Sequence, residues 1–86
     1  MVMDEKISKI KGLEIYTPKG IFVGIVDEVI LNIPQRRVEG LFVSDANPYL
    51  ADETVSISIP FRWVQSIGDV IILNRFPEER IKADST

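Results

Sequence analysis

The stretch Ile21-Phe22-Val23-Gly24-Ile25-Val26-Asp27-Glu28-Val29-Ile30-Leu31-Asn32 decides the fold. It is the longest strand candidate in the chain, but its alternation does not hold throughout. Val29 and Leu31 share one parity, Val26 has the other, and Asp27-Glu28 lies between them. A β-bulge near Asp27 or Glu28 puts all three apolar side chains on one face. A long strand that is bulged and strongly bent is what a small closed barrel needs at a corner.

Outward from this stretch, short β-branched runs alternate with turn signals. On the N-terminal side Leu13 to Tyr16 reads as a strand, and Thr17-Pro18-Lys19-Gly20 as a tight hairpin turn. Pro18 presets the turn, and Gly20 accepts positive φ. Before it, Asp4 to Lys11 reads as a single helical turn carrying Ile7 and Ile10, capped by Ser8 and closed by Gly12. On the C-terminal side Ile33-Pro34-Gln35-Arg36 turns the chain into a strand over Arg37 to Val43. Ser44 to Thr54 is a long loop carrying Asn47-Pro48-Tyr49. Val55-Ser56-Ile57-Ser58-Ile59 alternates cleanly, isoleucines inward and serines to water, until Pro60. Phe61-Arg62-Trp63 turns a corner, and Val64 to Ile67 and Asp69 to Leu73 form two further strands about Gly68. From Asn74 the tail is polar, with Phe76 as an anchor and Pro77-Glu78-Glu79 as the start of a short helix. The reading is of a single domain over 1–86, with its core over about 7–73 and a polar tail over 74–86. No internal repeat, low-complexity segment or interdomain linker interrupts it.

Composition narrows the function. With 86 residues there is material for one core, and neither cysteine nor histidine is present. No disulfide or ordinary zinc site can staple the fold, and no Ser-His-Asp or Cys-His system can form. The remaining carboxylates, lysines, tyrosines and hydroxyls rarely make an active site on so small a scaffold, so the chain reads as a non-enzyme without cofactor or metal. A net charge of -3 and a pI near 4.8 argue against an overall nucleic-acid footprint. The N-terminal residues lack a signal-peptide pattern, and the longest apolar run, Ile21 to Val26, falls far short of the ~20 residues that span a bilayer. The expected location is cytoplasmic, without membrane insertion.

The order of features resembles the PRC-barrel pattern. The residues that carry the likeness are Ile7-Ser8-Lys9-Ile10-Lys11-Gly12-Leu13-Glu14-Ile15-Tyr16, then Gly20, then Val23-Gly24-Ile25-Val26-Asp27-Glu28-Val29-Ile30-Leu31-Asn32. The closing segment is Ile59-Pro60-Phe61-Arg62-Trp63-Val64-Gln65-Ser66-Ile67-Gly68-Asp69-Val70-Ile71-Ile72, with its Pro, aromatic corner and Gly-Asp. The chain is most similar to the short stand-alone archaeal type. The implied fold is all-β, a small barrel of about six short strands with a short N-terminal helical turn. The implied function is a protein-interaction adaptor, in the setting of archaeal cell division, where such proteins bind SepF, the membrane-associated adaptor that works with FtsZ. The alternative that the family offers is a RimM-like module associated with ribosome or RNA processing. One departure stands out. The family often places Gly where this chain has Arg36. Arg36 must therefore accept left-handed geometry, at a cost on the order of 1 kcal/mol, or use a different turn.

Several constellations invite a functional reading and have a plainer one. Asp27-Glu28 and Asp52-Glu53 are adjacent carboxylates whose strand neighbours point to opposite faces, so they read as solvated or turn residues. Arg36-Arg37 with Arg62-Trp63 could serve RNA stacking, but the basic residues are few and the aromatics separate. Gly20, Gly24, Gly40 and Gly68 match no phosphate-cradling motif and read as turn and corner glycines. Trp63 is either a barrel plug or an interface anchor.

Apolar surplus is the informative anomaly. Strict alternation leaves Val38 and Phe42 on the face opposite Leu41 and Val43, and sets Phe22 and Val26 against Ile21, Val23 and Ile25. One small barrel cannot bury both faces, so the terminal segments or another chain must cover the remainder. The expectation is a two-fold homodimer with Phe22, Val38 and Phe42 in its seam. The expected partner-binding residues are Tyr49 and Leu50 in the long loop, together with Phe61, Arg62 and Trp63 at the corner.

Overall fold

The stretch that decides the fold folds as two strands in two different sheets. The computed structural model describes residues 7–82, with strands β1 Glu14–Tyr16, β2 Phe22–Ile25, β3 Glu28–Asn32, β4 Arg37–Val43, β5 Ile57–Pro60, β6 Val64–Ile67 and β7 Ile71–Leu73. A 3-10 turn over Phe61–Trp63 joins β5 to β6 at the expected corner. One sheet has the order β2-β1-β7-β6 and the other β3-β4-β5. All pairings between strands are antiparallel except that of β1 with β7. The fold is the expected small β domain, with seven strands in place of about six because β2 and β3 are separate.

The change of sheet falls at Val26-Asp27, and it replaces the bulge expected near Asp27 or Glu28. Val26 still belongs to the β1 side, donating its N–H to the Leu13 carbonyl at 3.0 Å and accepting from the Gly12 N–H at 2.9 Å. Asp27 already donates to the Phe42 carbonyl of β4, at 2.9 Å. Val26, 2% exposed, sits in the core at the junction.

Bulges do occur, at positions alternation does not reveal. Ile15 pairs with Gly24 but Tyr16 with Phe22, which makes Val23 the extra residue. Val23 and Gly24 both face the core in consequence, while Phe22 and Ile25 both face outward. A Cβ on Gly24 would stand 2.6 Å from Cγ1 of Val43, so the Val43 side chain from the other sheet fills the space that a residue larger than glycine would need. In the β3–β4 hairpin Ile30 pairs with Gly40 and Leu31 with Val38, leaving Glu39 as the extra residue. Val38 therefore shares a face with Leu31 and not with Phe42, which corrects the face assigned to it by alternation.

The turns follow local chemistry. Gly20, at φ +83°, closes the first hairpin by donating to the Thr17 carbonyl at 2.9 Å. Thr17 is buried, and its Oγ1 accepts the N–H of Lys19 and of Ile21. At the second hairpin Arg36 adopts φ +53° and donates to the Ile33 carbonyl at 3.1 Å, so the arginine does take the left-handed geometry.

The core gathers Ile15 and Val23 from the first sheet's leading strands, Ile71 and Leu73 from β7, and Leu41 and Val43 from β4, all fully buried. Residues 7–10 are helical and lay Ile10 onto this core. Ser8 lies inside that turn and is not its cap, while the part of the expected turn over 4–6 lies outside the described residues. Gly12, at φ +88°, ends it. The short helix expected from Pro77 does not form. The chain bends at Glu78-Glu79 instead, and Ile81 makes a parallel bridge with Ala51. No helix among the described residues is long and apolar enough to cross a membrane.

Candidate docking surface

The long loop is built around Asn47. Its backbone N–H donates to the Val23 carbonyl and its Nδ2 to the Phe22 carbonyl, both at 2.7 Å, which moors the loop on the outer edge of β2. Its Oδ1 accepts the Tyr49 N–H at 3.0 Å, and its carbonyl accepts from Leu50 and Ala51 at 2.8 and 3.1 Å. An asparagine before a proline favours this kind of turn, because the side chain can substitute for a backbone acceptor. On the far side the C-terminal segment locks the loop. Ile81 donates to the Leu50 carbonyl at 2.8 Å and accepts from the Asp52 N–H at 2.7 Å. Arg80 Nε donates to the Pro48 carbonyl at 2.8 Å.

This scaffold presents Tyr49 with 81% of its surface exposed, next to half-buried Leu50. Leu50 borders an open groove of about 370 Å³ whose apolar walls include Ile21, Phe76 and Pro77, with Arg75 at its rim. Phe76 connects this groove to the corner, since its ring meets Trp63 edge-on with centroids 6.5 Å apart. Leu50 and Phe76 line the groove together, whereas Trp63 meets Phe76 without lining it. Phe61 and Trp63 pack against the core, as does Phe76, which anchors the tail. Arg62 is exposed, and its carbonyl accepts from Asn74 Nδ2 at 3.0 Å. Of the expected partner-binding residues, Tyr49 and Arg62 offer open side chains, while Leu50, Phe61 and Trp63 offer partial ones. Asn47, which positions Tyr49 and Leu50, carries the signal of Asn-Pro but is not among the expected site residues.

The charged groups do other work. Asp27 Oδ2 accepts from Ser44, and these bonds hold its carboxyl below the usual carboxylate range, the backbone N–H more than the hydroxyl. Glu28 pairs with Lys11 at 3.1 Å. The two acids serve different partners and form no acid–base pair. No group of three or more possible metal ligands is assembled among the described residues. Arg36 and Arg37 occupy the tip of the β3–β4 hairpin, and the ring contacts among the described residues, Tyr16–Phe22 and Trp63–Phe76, lie elsewhere in the sequence.

The outward apolar residues separate into distinct surfaces. Phe22 stacks edge-on with Tyr16 at 5.7 Å, and Tyr16 pairs in register with Ile72, making a row across the outside of the four-stranded sheet. The Tyr16 hydroxyl donates to Glu14 Oε1 at 2.9 Å, and this bond above all raises the phenol's pKa. Phe42 faces outward on the three-stranded sheet, between Glu28 and Ser58. Val38 lies on the other side of that sheet, beside Leu31. Phe22, Val38 and Phe42 are not one patch.

The PRC-barrel domain family matches residues 3–80, nearly the whole chain, and the chain belongs to that family. The family is one of small β modules of protein interaction, and its domains are in general non-catalytic. No curated protein matches the chain.

Proposed function

We propose that this PRC-barrel chain is a non-enzymatic adaptor that docks a protein partner on the Tyr49–Leu50 loop and the adjoining Phe61-Arg62-Trp63 corner. The observation that carries this reading is the combination at Tyr49, an aromatic side chain almost wholly in water on a loop with so many backbone anchors. A loose loop loses conformational freedom on binding, which subtracts from affinity. A moored loop has already met that cost during folding, so an exposed Tyr on it is a pre-positioned anchor of the kind enriched at interface hot spots. The groove beside Leu50 supplies apolar area for a neighbouring side chain of the partner.

The setting proposed for the adaptor is archaeal cell division, in the cytoplasm, with a SepF-like division adaptor as partner and a second copy of the chain as companion. Support for this comes from the likeness to the short stand-alone archaeal members of the family. Titration of a purified SepF-like protein tests it. Wild type binds, and the Tyr49→Ala/Leu50→Ala variant, folded by circular dichroism, binds at least about tenfold more weakly. Full binding by that variant refutes the loop. Salt-sensitive co-purification of ribosomal RNA, with no division protein, would replace the reading with the RimM-like one.

A further inference from the structure

Four strands stand at the edges of the two sheets, and three of them are protected. The outer edge of β2 is occupied by Asn47, which bonds the carbonyls of Phe22 and Val23. The β6 strand is bulged at Gln65 and carries polar Gln65 and Ser66. The β5 strand ends in Pro60 and turns Ser58 outward. Such devices keep natural edges from pairing with other chains. The fourth edge, β3, keeps its polar residues, Glu28 and Asn32, to its two ends. Its residues Glu28-Val29-Ile30-Leu31-Asn32 include no Pro, Gly or Lys, and the bulge in its hairpin is taken by β4, which leaves β3 regular. Its backbone bonds go to β4 alone among the described residues. Ile30 is 37% exposed on one face, and on the other Leu31 and Val38 are half-buried without packing on the core.

We infer that β3 is the seam at which two copies of this chain pair, antiparallel, about a two-fold axis at Ile30. The sequence of the strand is self-complementary in that register. Ile30 meets Ile30 of the second copy on the outer face. Val29 lies opposite Leu31 of the second copy on the inner face, and Glu28 opposite its Asn32. Charge favours this direction. One end of the strand carries Glu28, whose exposed carboxylate is paired with Lys11 at 3.1 Å, and the other carries Arg36 and Arg37, neither of which has an acidic partner among the described residues. Antiparallel pairing brings Arg37, which lies opposite Asn32 within its own hairpin, one strand away from Glu28 of the second copy. The two β3 edges consume each other, so the contact closes as a dimer and does not propagate. The two three-stranded sheets become one of six strands.

This rests on the reading of the chain as an interaction module that associates with itself, and the variants separate the two. Sedimentation velocity at tens of micromolar should show a dimer for wild type and for Phe22→Lys. Ile30→Lys should weaken the dimer at least about tenfold, since it sets two cations against each other on the axis. Arg37→Glu should weaken it while Arg37→Lys keeps it; this pair decides the matter if Ile30→Lys does not fold, and a dimer unchanged by Arg37→Glu then overturns the seam. A dimer untouched by Ile30→Lys and lost in Phe22→Lys overturns the β3 seam and keeps self-association. A monomeric wild type overturns both, and leaves docking at Tyr49 to be judged by its own titration.

Discussion

A single carboxylate oxygen, Asp27 Oδ2, accepts both the backbone N–H of Ser44 at 2.6 Å and its hydroxyl at 2.8 Å. The residue that starts the second sheet is thereby tied to the one that starts the loop. Because both bonds favour the ionised form, the folded pKa lies below the ordinary 3.8. The linked stability is fully present above that value and is lost as pH falls through the lower folded value. Urea denaturation from pH 5 downward should show this acid slope, and Asp27→Asn should remove it while lowering stability at neutral pH.

Gly40→Ala tests the closeness of β4 and β5. A Cβ at Gly40 would stand 2.8 Å from the Ile59 carbonyl oxygen, a backbone atom that cannot rotate away. The two strands must separate to admit it, at about 1–3 kcal/mol. Urea melts should show the loss with an unchanged m-value.

Arg36→Gly should act in the opposite sense. The arginine holds φ +53° at the hairpin tip, a conformation costing a residue with a Cβ on the order of 1 kcal/mol, whereas glycine adopts it freely. Part of that relief is offset by the greater freedom of glycine in the unfolded chain. A net gain of up to about 1 kcal/mol should appear in thermal or urea unfolding.

Asn47→Ala and Tyr49→Ala should part company. Tyr49 is so exposed that its removal should leave stability within about 0.5 kcal/mol while weakening docking. Asn47→Ala removes the bonds to Phe22 and Tyr49, and should cost about 1 kcal/mol and speed amide exchange at Tyr49. Partner binding then falls because the loop has to be ordered on docking, with Tyr49 still present.

Much of this fold was legible in the residues. Arg37 to Val43 is the strand expected, Gly20 and Arg36 take the turn geometries their positions require, and Phe61-Arg62-Trp63 makes the corner. What escaped was every feature decided between distant segments. A change of sheet at Val26-Asp27 and a bulge at Asp27 disturb alternation in the same way, so the pattern alone cannot separate them. The bulges at Val23 and Glu39 have no compositional mark, yet each reverses the faces of the residues beyond it. That is why Val38 parts from Phe42, while Phe22, grouped with them by parity, stands apart because β2 lies in the other sheet. Pro77-Glu78-Glu79 has a helix-start composition that the bridge from Ile81 to Ala51 overrides. At the docking surface the exposure of Tyr49 followed from its loop, but the mooring by Asn47 depends on carbonyls 24 to 25 positions earlier in the chain.

The parallel pairing of β1 with β7 also sets a timetable for folding. Ile15 lies beside Ile71, so the four-stranded sheet joins the beginning of the described chain to its later part. The three-stranded sheet needs nothing beyond Pro60. On the ribosome β3, β4 and β5 can therefore assemble while β1 and β2 wait as a lone hairpin for β7 to emerge. Distant closure of this kind slows folding and prolongs the exposure of apolar strands. Among the described residues, the strand that emerges last is the one that completes the core.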